Sequence, residues 1–394
     1  MANGGKRMCA VHVPTEEAGK AAVGNSIFFV AIVLTVIGFL FVVDTSLVFK
    51  GEFDSRRMLV QIIKQLGIVV IGWSAAFYLC RLDRRAMKAF GGTLMLVSLM
   101  LLLGVLLFGP KINGCRRWLQ IGPLTIQPLE FFKVALVMQL AEFLSAKGSL
   151  NKLKPADIIR PILYVLLGVT LLFLQPNLSA VVFVSLICIV VAWIGGLPTR
   201  HIWYLAGFFS VVFIVMILIY PDRWERFVGI WNVQGNISDA GYQIAMALLA
   251  IARGGLFGVG LGQSIGKFSL PYNDSDFIFT IIVEETGLLG GIVLIVLFGY
   301  LIYLVLRLAR AHRDNYPMLL CLGLGLMIAT QALINIAVNI GFLPTTGMPL
   351  PFISAGGSNF IATLMAVGIL LNLARGPASE PEQPDEWPGY GGVG

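Results

Sequence analysis

Apolar runs of roughly twenty residues, each closed by a short polar or charged segment, recur along almost the whole chain. A bilayer core of about 30 Å needs about 20 such residues per α-helix, whereas barrel strands are shorter and alternate. The pattern therefore predicts an all-α integral membrane protein with ten transmembrane helices. They fall near residues 27–48, 58–80, 90–108, 128–146, 158–174, 178–195, 201–220, 277–306, 317–342 and 354–374. The first 26 residues are polar, carry Glu16 and Glu17, and lack the apolar core and cleavage site of a signal peptide, so span 1 is expected to act as an uncleaved anchor. The expected organisation is a cytoplasmic segment 1–26, a polytopic membrane domain 27–375, and a disordered cytoplasmic tail 376–394 rich in Pro, Gly and acid.

Composition agrees: 57% of residues are hydrophobic and only 12% charged, with a mean hydropathy of +0.86, which excludes an ordinary soluble domain. Lys and Arg gather on alternate sides of the spans (Lys6, Arg7; Arg81, Arg84, Arg85, Lys88; Lys147, Lys152, Lys154; Arg200; Arg307, Arg310, Arg313; Arg375). The positive-inside rule then predicts both termini in the cytoplasm and a large extracytoplasmic loop between spans 7 and 8. Topology accounts for the net charge of +7 without a nucleic-acid partner. The five cysteines, Cys9, Cys80, Cys115, Cys188 and Cys321, have neither CxxC nor zinc-ligand spacing.

Basic residues that break the charge rule carry more information. Lys50, Arg56 and Arg57 on the outer side fit lipid-headgroup contact. Lys111, Arg116 and Arg117 lead instead into Trp118, then Glu130 and Lys133 inside span 4. Ionisable groups within a bilayer cost several kcal/mol unless paired or wet. Lys64, Glu130, Lys133, Glu284 and Glu285, with the chain break at Gln175, Pro176 and Asn177, cluster toward the outer half and imply a polar cavity opening outward. Glu130 and Lys133, three residues apart, can also simply neutralise one another. Glu142 reads as structural, and Asn335 and Asn339 as hydrogen-bond glue between helices.

The predicted outer loop runs from Pro221 to Asp276, with a helix over 242–253 followed by a glycine-rich turn. GVGLGQ lacks the strand that a nucleotide-binding fingerprint requires, so close backbone packing is the expected role of its glycines. At the loop's end, LPYNDSDFIF (270–279) places Asp274 and Asp276 on the lip of span 8. Either carboxylate can cap that helix, and the Asp-x-Asp spacing can also hold a divalent cation, Mg or Mn, against a phosphate.

Several separated motifs resemble the SEDS family (shape, elongation, division and sporulation) of the FtsW, RodA and SpoVE type, nearest its division and sporulation branch. They are CRRW and QPLEFFK (115–133), QPN (175–177), GYQ with LLAIARGGLFGVGLGQS (241–264), LPYNDSDFIF with EETG (270–287), and GFLPTTGMPLPFISAGGSN (341–359). The resemblance implies a peptidoglycan glycosyltransferase of the bacterial cytoplasmic membrane that polymerises lipid II into a polyprenyl-diphosphate glycan strand. It implies as partners a class B penicillin-binding protein and other division or elongation membrane proteins. It makes Asp276 the general base, with Asp274 a candidate metal ligand beside it. Candidate substrate contacts are Arg116, Arg117, Lys133, Lys64, Gln175, Tyr242, Gln243, Pro271, Glu284, Glu285 and Ser354. The chain departs from the family pattern at Tyr272, Asn273–Asp274, Asn177 and Ala355. A lipid-linked oligosaccharide flippase using Lys64, Glu284 and Glu285 as its pathway, or a noncatalytic division scaffold, are the competing readings.

Overall fold

The computed structural model describes residues 14–46, 48–49, 52–53, 55–111, 115–122, 124–146, 155–221 and 239–375. The predicted tail, Lys50, Lys147, Lys152 and Lys154, and the side chains of Arg56 and Arg57 lie outside the described residues.

The molecule is a helical membrane bundle. Its long helices are α1 (Pro14–Ser46), α2 (Ser55–Cys80), α3 (Arg84–Phe108), α4 (Pro128–Ser145), α5 (Pro155–Leu174), α6 (Leu178–Ile194) and α7 (Thr199–Ile219). After α8 (Asp239–Gly254) and the short α9 (Gly266–Ser269) come α10 (Ile278–Arg310), α11 (Asn315–Asn339) and α12 (Gly357–Arg375). A helix covers each of the ten apolar runs, and α8 matches the helix predicted within the long loop. Seven of the helices, α1, α2, α3, α7, α10, α11 and α12, are long and apolar enough to cross a membrane.

Two small antiparallel hairpins were not expected from the pattern. One pairs β1 (Val48–Phe49) with β2 (Glu52–Phe53); the other pairs β3 (Leu119–Ile121) with β4 (Leu124–Ile126), in the register Leu119↔Ile126. Segments this short carry no readable alternation, so hydropathy is silent about them.

Helices α4, α11 and α12 form the centre. Helix α4 touches α3, α5, α6, α11 and α12, while α12 packs on α1 and α2. Backbones approach closely there, because a Cβ at Gly368 would lie 2.4 Å from the Ala76 carbonyl, the small-residue packing expected where lipid removes the hydrophobic drive between helices. At the rim the pattern inverts. Trp203 on α7 is 76% exposed and Leu218 75%, as surfaces facing hydrocarbon should be.

The continuous helix predicted for span 8 is corrected: α10 breaks at Gly287, whose φ of 76° and ψ of 178° are not helical. A break strands carbonyls on one side and amides on the other, and a membrane protein must pair them within the protein. The glycine-rich segment after α8 does this. The amides of Val259 and Gly260 donate to the carbonyls of Glu284 and Glu285 at 3.0 and 3.1 Å, and those of Leu288 and Leu289 donate to the carbonyls of Gly255 and Leu256 at 2.9 and 3.3 Å. Such contact excludes side chains: a Cβ at Gly258 would lie 2.1 Å from the Glu285 carbonyl. Close backbone packing is therefore the role of these glycines.

Gly287→Ala should lower the thermal unfolding midpoint of the detergent-purified protein, because its backbone region costs a non-glycine residue about 1–3 kcal/mol and its Cβ would meet the Leu256 carbonyl at 2.3 Å. Gly299→Ala, in open space on the same helix, should leave the midpoint unchanged or raise it.

Candidate active site

Residues 271–277 turn the chain into α10 and are held by their backbone. Leu270 is extended (φ −95°, ψ 118°), as a residue before proline is driven to be, and Pro271 starts the turn. Tyr272 then adopts φ 59°, an uncommon conformation for a bulky residue. Its carbonyl accepts the amides of Ser275, Asp276 and Phe277 at 3.1, 3.0 and 3.2 Å, which holds the turn closed. The segment before α12 grips the middle of the loop. Ser354 Oγ donates to the Ser275 carbonyl (2.6 Å) and the Ala355 amide to the Asp274 carbonyl (2.9 Å). Helix α11 grips its end, where Asn335 Nδ2 and Asn339 Nδ2 donate to the Asp276 carbonyl at 3.0 and 2.9 Å. The two asparagines thus act as the expected interhelical glue.

The acids do not cap α10. The residue at its N-cap is Phe277, which makes no side-chain cap bond. Asn339 Oδ1, from the neighbouring helix, instead accepts the Thr280 amide (3.1 Å) and the Thr280 hydroxyl (2.7 Å). A cap supplied in trans satisfies an orphan amide of the first turn. Asp274 and Asp276 are relieved of that duty.

Their environment is charged and partly accessible. Burial pushes the Asp276 carboxyl up to about 6, the Asp274 charge pushes the same way, and the Arg117 guanidinium opposes both. Burial also raises Asp274, against the pull of its own backbone amide and of the Lys64 ammonium. Lys64 of α2 and Arg117 therefore both act electrostatically on the acid loop. Between Asp276 and Arg117 lies Gly347 (φ 68°), where a Cβ would sit 3.9 Å from Asp276 Oδ2 and 4.0 Å from Arg117 Nη1. Glycine keeps that gap open. Arg117 is steadied by donating from Nη2 to the Pro176 carbonyl at 3.0 Å, so the QPN turn positions it.

Other predicted contacts have structural partners. Arg116 Nη1 donates to the Leu106 and Leu107 carbonyls (2.8 and 3.1 Å), closing the C-terminus of α3. Gln175 Nε2 donates to the Leu102 carbonyl at 2.9 Å. Lys133 is 4% exposed and lies 2.7 Å from Glu130; it donates to Gln331 Oε1 at 2.7 Å and stands over the Phe183 ring at 4.9 Å. Gln331 passes this anchorage on to the Pro349 carbonyl (2.9 Å) and to Asn359 Oδ1 (2.6 Å). Lys133 thus stands behind the site wall. Pro271 and Ser354 shape and hold the acid loop, while Tyr242, half exposed, and Gln243 lie on α8.

Glu284 and Glu285 form a separate buried cluster. Glu284 accepts the Gly266 amide (3.0 Å), the Ile265 amide (3.3 Å) and the Ser264 hydroxyl, and Glu285 pairs with Lys267. Lys267 also pairs with Asp44 of α1. Sequence reasoning missed Asp44, Lys267 and Gln331. Asp44 was detectable as an ionisable residue inside an apolar span. Gln331 was detectable as the first member of an i, i+4, i+8 amide row with Asn335 and Asn339.

No group of three His, Cys, Asp or Glu side chains suited to a metal occurs among the described residues. The Asp274 and Asp276 pair fits a magnesium-like ion only if substrate phosphate and water supply the remaining ligands, as such ions commonly require.

Comparison with known proteins places this geometry in a lineage. The chain is 32% identical over 368 residues to a probable peptidoglycan glycosyltransferase FtsW of Saccharophagus degradans, covering 91% of this chain and 95% of that one. It is 35% identical over 350 residues to the stage V sporulation protein E of Bacillus subtilis, covering 88% and 95%. Its fold matches a chain of a solved peptidoglycan synthase complex that coordinates polymerization and crosslinking, at a TM-score of 0.71 and 29% identity, over 90% of this chain and 98% of that one. It also matches the rod shape determining protein RodA of Thermus thermophilus, at 0.64 and 30%, over 89% and 96%. A profile of the FtsW/RodA/SpoVE cell cycle proteins spans residues 25–378, and the chain belongs to that family.

Proposed function

We infer that this protein is a peptidoglycan glycosyltransferase that polymerises lipid II at the outer face of the bacterial cytoplasmic membrane, with Asp276 as general base. The observation that carries this reading is the acid loop: its carbonyls are bonded, its carboxylates are free of capping, and Asp276 faces Arg117 across Gly347.

In the transfer, the acceptor sugar hydroxyl attacks the anomeric carbon of the donor. The new glycosidic bond forms as the bond to the lipid diphosphate breaks. Asp276 takes the hydroxyl proton, and a carboxyl raised to about 6 is a stronger base than an ordinary aspartate while still ionised at neutral pH. Arg117 and Lys64 face the negative charge that builds on the departing diphosphate. A divalent ion held by Asp274 and Asp276, when bound, would offset the same charge. Arg116 and Lys133 serve as positioning residues, because Arg116 Nη1 holds the α3 terminus and the Lys133 ammonium is buried against Glu130 and Gln331.

The full topology belongs to the same reading: ten spans, both termini cytoplasmic, and the acid loop on the outer side, as the alternation of Lys and Arg requires. A class B penicillin-binding protein is the proposed partner, supported by the likeness to a chain of a synthase complex. A transport pathway through Glu284 and Glu285 is disfavoured, since Lys267, Ser264 and backbone amides already occupy both carboxylates.

Asp276→Asn should lower the rate of labelled lipid II polymerisation by about 10²–10⁴-fold, the usual worth of a general base, with the thermal midpoint retained. The base must be deprotonated to act. The wild-type rate should therefore rise as pH increases through about 6 and level off above it, and a rate that falls over that interval would exclude the assignment. Asn339→Leu removes one of the two anchors on the Asp276 carbonyl and the trans cap, so it should lower the rate and cost about 1–3 kcal/mol of stability, as buried polar groups left unpaired do.

A further inference from the structure

The buried ion cluster beside the site lies outside the mechanism just described, yet it is joined to the acid loop. Lys267 is buried to 2% side-chain exposure between Asp44 of α1 and Glu285 of the first half of α10. The adjoining Glu284 gathers the amides of Ile265 and Gly266 and the Ser264 hydroxyl, and Arg253 of α8 approaches it at 4.0 Å. These contacts clamp residues 264–267 against α10. The Lys267 main-chain carbonyl, at the same spot, accepts from Asn273 Nδ2 at 2.5 Å, and Asn273 directly precedes Asp274.

The acid loop is therefore fixed from two sides. Asn335, Asn339, Ser354 and Ala355 hold its later carbonyls from the α11 and α12 side. Asn273 holds its beginning from the α1 and α10 side through Lys267. The buried ammonium separates carboxylates that would otherwise repel across a low-dielectric gap. Removing it would leave both without their buried counter-charge, a strongly destabilising change, and loosen the segment that carries the Lys267 carbonyl.

We propose that Lys267 is a positioning residue for glycosyl transfer: its ion pairs with Asp44 and Glu285 set the place of the Asn273 tether, and through it the place of Asp276. The inference rests on the reading of Asp276 as base. It assigns no substrate contact to Lys267, whose donors point into the cluster. The loop is tied to α1 by this route, so a displacement at the end of α1 reaches Asp276 through Asp44, Lys267 and Asn273.

The test is steady-state polymerisation of labelled lipid II by the full-length protein with its transpeptidase partner, measured against pH for the wild type and for Asn273→Ala, Lys267→Met, Lys267→Arg and Asp276→Asn. Asn273→Ala cuts only the tether and spares the buried ions, so it keeps the proposal testable if Lys267→Met fails to fold. The expected result for Asn273→Ala is a kcat lowered about tenfold to a hundredfold, the scale of a misplaced catalytic group. Its KM should stay near the wild-type value, and the acid limb of its pH profile should be displaced. Lys267→Met should behave alike, and Lys267→Arg should restore most of the rate. Wild-type kcat and acid limb in Asn273→Ala, alongside an inactive Asp276→Asn, would overturn the tether and leave the base standing. Full activity in Asp276→Asn would overturn both.

Discussion

One main-chain carbonyl, that of Asp276, organises the site. Asn335 and Asn339 both donate to it from α11, and Asn339 spends its remaining oxygen on the first turn of α10. The arrangement holds Asp276 by its backbone. A catalytic carboxylate anchored through its own oxygens would have its basicity lowered by the donors that fixed it. Anchoring the carbonyl instead leaves burial free to raise Asp276. Gln331 continues the amide row one turn earlier and holds Pro349, so a single face of α11 aligns Asp276 with the segment that carries Gly347.

The same demand for paired backbone explains the break in α10. Hydrocarbon tolerates interrupted helices only where the protein supplies partners, and the segment 255–260 meets the stranded groups on both sides of Gly287. That docking brings residues 264–267 against Glu284 and Glu285. The irregular backbone of the loop and the buried charges of α10 are two sides of one solution.

Buried ionisable residues here fall into two kinds, which the sequence does not separate. Glu130 with Lys133, and Asp44 with Lys267 and Glu285, are neutralised inside the bundle. Asp274 and Asp276 are partly accessible and stand under the influence of Lys64 and Arg117. All of them except Lys267, which lies in the short α9 before α10, carry the same signal in a hydropathy reading, a charge within or beside an apolar run. Glu284 and Glu285, expected as substrate contacts, have Ser264, Lys267 and backbone amides as their partners. Their spacing from Asp276 along an unbroken helix suggested a shared cavity, and only the break at Gly287 and the return of the glycine-rich segment showed where their partners come from.

The sequence by itself determined the helices, the membrane as solvent, and the location of the acid loop, because runs of about 20 apolar residues and a local motif are properties of contiguous chain. It also identified Asn335 and Asn339 as polar residues facing other helices. What the tertiary structure decided was assignment among equals. It decided that Asn339 rather than an aspartate caps α10, that Arg117 acts on the Asp276 carboxyl while Arg116 bonds the end of α3, and that Lys133 serves Glu130 and Gln331. The deciding partners can lie far off in the chain, Asn339 being 59 residues from Thr280 and Gln331 198 residues from Lys133. A side chain's charge is written locally, but the group that satisfies it is chosen by packing.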